Sequence, residues 1–121
     1  MYRINNKKSI TRSGGAFILQ RGVILITIEK LSDGIKINGH AGYAPIGSDI
    51  VCAGVSALVQ ALIQSIEELT ADEIEYDMQP GTAHIKHGNL SEQAQLLVDS
   101  FFVGVRLTAD EYPENVAILK K

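Results

Sequence analysis

One cysteine stands in 121 residues, so an internal disulfide, a Cys-x-x-Cys zinc pair and a two-thiol redox couple are all excluded. Without a second thiol to resolve a disulfide, a redox role is disfavoured. No apolar run approaches the ~20 residues that a membrane span needs, and 45% hydrophobic with 21% charged residues is ordinary for a soluble domain. No membrane partner is expected. The loop before the long apolar segment lacks a Gly-Lys-Ser/Thr ending, which counts against a phosphate cradle, and no His-x-x-x-His spacing supports a metal. No cofactor is expected either.

Residues 1–22 contain no acid, but they hold Arg3, Lys7, Lys8, Arg12 and Arg21. The rest of the chain carries 6 basic and 14 acidic residues, a balance of −8 that disfavours phosphate backbones and favours a basic partner. Direct nucleic-acid binding is not expected. The 1–22 stretch shows no sustained period, its apolar patch Ala16 to Leu19 is too short for a signal core, and no Ala-x-Ala site follows. It reads as a disordered extension or a start artefact, with a single domain over 23–121. A free thiol fits a reducing compartment, and the cytoplasm is the expected location.

From Val23 the run VILITIEK alternates Ile24, Ile26 and Ile28 against Leu25, Thr27 and Glu29, and Asp33-Gly34 supplies a tight turn into IKING. Two strands are predicted. Asp49 to Leu69 is rich in Ala, Leu, Val and Ile and free of proline, with Ser48 or Asp49 available as a cap, which predicts a long helix. EIEYDM and TAHIKHG flank Pro80-Gly81 as a second hairpin, and Asn89 or Ser91 opens a second helix striped by Ala94, Leu97, Val98, Phe101 and Val105. NVAILKK closes the chain as a strand. The expected fold is α+β in the order ββαββαβ: a mixed, mostly antiparallel sheet with both helices on its one apolar face.

The chemistry gathers in GHAGYAPIGSDIVCAGVS, residues 39–56. At 100° per residue Asp49, Ser56, Gln60, Gln64 and Glu67 share one stripe of the first helix, opposite Val51, Val55, Leu58, Leu62, Ile66 and Leu69. Cys52 falls on the rim of the polar stripe. A buried, packed role competes, since free cysteine is among the most buried residue types. If the helix starts at Asp49, however, Cys52 lies in its first turn, where free N–H groups and the helix dipole favour a thiolate and can hold an oxyanion. A base is then needed. His40 ends the second strand at the edge from which the chain enters this helix, whereas His84 and His87 read as surface residues. Ser56 is either a substrate contact or a hydroxyl bonded to its own backbone, Asp49 either a site residue or a cap.

Gly39-His40-Ala41, followed by Gly47-x-Asp49-Ile50-Val51-Cys52-Ala53-Gly54-x-Ser56, resembles the signature of the Prp ribosomal-processing cysteine proteases. The resemblance covers residue 23 to the end. It implies a small homodimeric endopeptidase that removes the basic N-terminal extension of a large-subunit ribosomal protein, cutting after an aromatic pair and before a small residue. It also implies Cys52 as nucleophile and His40 as its base, with Gly39, Asp49 and Ser56 as supporting positions and the loop between them as a gate. One departure is that Tyr43-Ala44-Pro45-Ile46 fills this loop with an apolar, proline-containing stretch, and a stiffer or differently shaped gate alters substrate entry. The alternative is a non-enzymatic ribosome-associated binding or assembly protein in which Cys52 is merely packed.

Overall fold

The computed structural model describes residues 10–13, 16–19, 24–39, 46–79 and 81–120, and for 10–13, 16–19, 24 and 46–49 it describes the backbone alone. Within the N-terminal 22 residues, β1 (Ile10–Ser13) and β2 (Ala16–Leu19) form an antiparallel pair. β2 then meets β3 (Ile24–Leu31) through only two residue pairs, Phe17 with Leu25 and Ile18 with Ile24. From β3 onward the chain follows the expected order. A two-residue turn at Ser32 and Asp33 leads into β4 (Gly34–Asn38), and Gly34 is needed there because a Cβ would run into the Ile85 carbonyl.

Helix α1 (Ile46–Leu69) crosses to the hairpin of β5 (Glu75–Gln79) and β6 (Thr82–Lys86), and α2 (Glu92–Glu111) returns the chain to β7 (Val116–Lys120). The main sheet runs β7-β3-β4-β6-β5, antiparallel except for the parallel β3–β7 ladder. Both helices lie on one face. Their buried stripes close on Ile26, Ile28, Ile35, Ile37, Ile85, Val116 and Ile118, each fully buried aliphatic side chain contributing about 1.5–3 kcal/mol.

Ser91 is the cap that starts α2: its hydroxyl accepts from the Ala94 N–H at 3.1 Å. The same residue donates its own N–H to Asp72 at 2.8 Å and its hydroxyl to the other Asp72 oxygen. Those bonds hold the Asp72 carboxyl below its usual pKa. α1 and α2 approach closely at Gly104, where a Cβ would come within 3.0 Å of Leu58.

Four sequence expectations need correction. α1 begins at Ile46, three residues before Asp49, because Ile46, Gly47 and Ser48 are themselves helical. Its buried stripe is Val51, Val55, Val59, Leu62, Ile63 and Ile66, whereas Leu69 stands exposed past the sheet's cover. β3 was expected to have one wet face, yet Leu25, Thr27 and Glu29 are as buried as their apolar alternates, in keeping with its central place between β4 and β7. Finally, the 20-residue stretch Ile50–Leu69 reaches a mean hydropathy of 1.6 over an 18-residue window, long and apolar enough by composition to cross a membrane. Six of those side chains are instead packed into the core, each 4% exposed or less.

Candidate active site

Two structural elements converge beside Cys52. α1 lies over the sheet so that Val55 and Val59 bury themselves against Ile26 and Ile37, and this leaves half-buried Cys52 at the margin of the core. From the other side the β5–β6 hairpin brings Met78, Gln79, Thr82 and Ala83 to the same place. Between them is a cavity of about 130 Å³, lined also by Gly39 and Ser56. That is close to the size of an apolar cavity able to take benzene, about 150 Å³. One aromatic ring would fill it.

Gly39 is fixed by geometry. Its φ of +148° lies where only glycine sits without strain, and a Cβ there would approach the Ile26 Cα to 2.6 Å. Its N–H donates to the Gly81 carbonyl at 2.9 Å, which ties the end of β4 to the β5–β6 hairpin. The cavity therefore has a braced floor.

Of the five site residues read from sequence, Gly39, Cys52 and Ser56 line this one cavity. Asp49 is an interior residue of α1, so it is not the helix cap. His40 lies outside the described residues, as does the 41–45 part of the gate loop. Neither His84 nor His87 is among the residues that line the cavity, although His84 adjoins Ala83, which does, and the His87 N–H donates to the Asp33 carbonyl at 2.9 Å. Ser56 is exposed one turn beyond Cys52.

The placement of Cys52 differs from the expectation in one respect that matters chemically. With α1 starting at Ile46, Cys52 sits in the second turn, and the N–H groups without intrahelical partners belong to residues no later than Ser48. Its position at the rim of the polar stripe holds. The expected first-turn activation does not, because the dipole's effect fades beyond that turn.

Sequence reasoning named no pocket walls. Met78, Gln79, Thr82 and Ala83 reach the thiol only because β6, not β5, pairs with β4. The DMQPGTA hairpin itself was visible; its neighbour in the sheet was not.

A two-layer α+β domain that opens a half-buried thiol onto a largely apolar, ring-sized cavity offers the nucleophile and the side-chain pocket that a cysteine protease uses. The family model described as cysteine protease Prp matches residues 23–117, and the chain belongs to that family. It is 35% identical over 92 residues to the ribosomal processing cysteine protease Prp of Staphylococcus aureus, spanning 74% of this chain and 86% of that one. The crystal structure of an S. aureus Prp with a substrate peptide superposes with a TM-score of 0.72 at 26% identity, covering 80% of this chain and 98% of the other. A second S. aureus structure, with a covalently linked product peptide, gives 0.69 at 27% identity over the same shares.

Proposed function

We propose that this protease removes the basic N-terminal extension of a large-subunit ribosomal protein during ribosome assembly, with Cys52 as nucleophile and His40 as base. The observation that carries the reading is the shared cavity: Cys52 and Gly39 line it from opposite elements, and His40 is the residue that follows Gly39 in the chain. His40 takes the proton from the Cys52 thiol, and the sulfur attacks the scissile carbonyl carbon. The attack makes a tetrahedral intermediate whose oxygen carries the negative charge. The amine departs with the proton from His40, and a thioester remains on Cys52. Water, deprotonated by the same histidine, hydrolyses it and restores the thiol.

The cavity volume suits an aromatic side chain beside the cut bond. The −8 balance of residues 23–121 suits a basic ribosomal tail, and a reduced thiol and a ribosomal substrate meet in the cytoplasm. A homodimer is part of the same reading. The test is incubation of the chain with its own organism's extended ribosomal protein, followed by intact-mass spectrometry. A single cut after an aromatic pair and before a small residue is expected. An untrimmed protein under conditions in which the thiol is reduced refutes the substrate assignment.

A further inference from the structure

The 130 Å³ cavity accommodates about one side chain, but an endopeptidase must hold a longer stretch of polypeptide. The neighbouring strand has the features for that. β5 ends the sheet, and among the described residues it pairs only with β6, so alternate N–H and C=O groups along Glu75–Gln79 face outward without a strand to receive them. All five of its residues are exposed.

The two faces of β5 differ. Tyr76 and Met78 pair across the ladder with Ile85 and Ala83, whose side chains are buried beneath the helices, so they turn to that same face. They are nevertheless 48% and 39% exposed, because the helical cover stops short of the edge strand. Glu75 and Asp77 turn the other way. Met78 and Gln79 also line the cavity that contains Cys52, so the open edge runs directly into the thiol's surroundings. At the opposite end of the strand, Asp33, Glu67, Asp72, Glu73 and Glu75 surround a wide depression that includes Lys86 and His87. Acidic groups predominate there.

We propose that β5 is the docking strand for the peptide substrate, which adds to its open edge as a further β-strand. This rests on the function proposed above, which supplies the occupant: a basic peptide with apolar residues at its cut site. Continuity with the cavity and complementary charge both favour that occupant over another partner. One of the two aromatic residues at the cut site lies over Met78 and into the cavity while its neighbour turns to the other face, and basic residues on that other face lie beside Asp77 and Glu75. Gln79 and Glu75 are four residues apart, about 14 Å along an extended chain. Basic residues opposite Asp77 and Glu75 are therefore roughly two to four positions from the residue beside Gln79.

The test uses the full chain carrying Cys52→Ala and a fluorescent 12-residue synthetic peptide containing Phe-Phe-Ala and flanking lysines. Affinity is followed by fluorescence anisotropy while each peptide N–H is methylated in turn. Addition to a strand predicts that alternate positions lose about fivefold or more each and that the positions between them change little, since only every second N–H faces β5. Tyr76→Lys should weaken binding by tenfold or more without lowering the melting temperature. Asp77→Lys should weaken it less, and less again at high salt. Equal tolerance of methylation at every position, in a peptide that the wild-type chain still cleaves, overturns the docking strand and leaves the protease assignment standing. Failure of the wild-type chain to cleave the unmethylated peptide overturns both. Loss of dimerisation in Tyr76→Lys with unchanged peptide affinity would give the edge to a second copy instead, which also overturns the proposal.

Discussion

Gly39→Ala is the substitution for which the structure gives the clearest magnitude. The new Cβ meets two penalties: a backbone at φ +148° that non-glycine residues adopt only under strain, and a 2.6 Å approach to the Ile26 Cα. Backbone strain of this kind costs about 1–3 kcal/mol. The contact adds to it, because the obstructing atom is main chain in the central strand and cannot swing aside as a side chain would. A total of about 2–4 kcal/mol is expected. For a domain of this length 1 kcal/mol corresponds to about 4 °C, so the melting temperature should fall by about 8–16 °C.

Activity should suffer more than stability alone explains. Relief of the clash moves the end of β4 away from Ile26, which loosens the Gly39–Gly81 hydrogen bond and shifts the cavity wall facing Cys52. Misplacement by 1 Å can cost about 100-fold in rate. Thermal denaturation by circular dichroism together with kcat/KM well below the melting point tests both parts. A variant that melts within 2 °C of wild type and cleaves at the wild-type rate would refute this account of why glycine occupies the position.

Other substitutions separate stability from function. Gly54 lies exposed within α1 with nothing near its missing Cβ, so Gly54→Ala should stabilise the helix by about 0.8–1 kcal/mol and raise the melting temperature by about 3–4 °C. Ser91→Ala removes the α2 cap and the hydroxyl donor to Asp72, and should cost about 1 kcal/mol, read as a fall of about 4 °C. Asp72 has a lowered carboxyl pKa in the folded state, so its contribution is present above the unfolded value near 3.9 and is lost as pH falls through the lower folded value. Stability should therefore decline on acidification below about pH 4, and less steeply in Asp72→Asn; identical pH profiles for the two proteins would contradict this.

Much of this molecule is legible in local pattern, and the departures have specific causes. Alternation locates β3 and β6, but it cannot reveal that β3 is central and buried on both faces, because Thr27 and Glu29 look like solvent-facing residues until β4 and β7 flank them. Tyr76 and Met78 alternate like core residues. They remain exposed because β5 takes the edge, and strand order is set by long-range pairing rather than by any five-residue pattern.

The site divides in the same way. Helical period alone puts Cys52 at the rim of a polar stripe, and the cavity lining agrees. Its distance from the helix start is not legible locally, since Ser48 and Asp49 are good capping residues that here continue a helix begun at Ile46. Gly39 belongs to a recognisable motif, but its reason, the close backbone of Ile26, exists only once β3 and β4 are paired. The cavity walls on β5 and β6 carry no residue type that signals a binding site.

The central claim is that Cys52 forms the covalent bond to the substrate. A peptide chloromethyl ketone ending in Phe-Phe, incubated with the wild-type chain and analysed by intact-mass and fragment spectrometry, tests it directly. The account predicts one adduct, located on Cys52, with activity lost in step with labelling, and neither labelling nor cleavage in Cys52→Ala. Cleavage retained by Cys52→Ala, or an inactivating adduct on Ser56 or another residue, would contradict it.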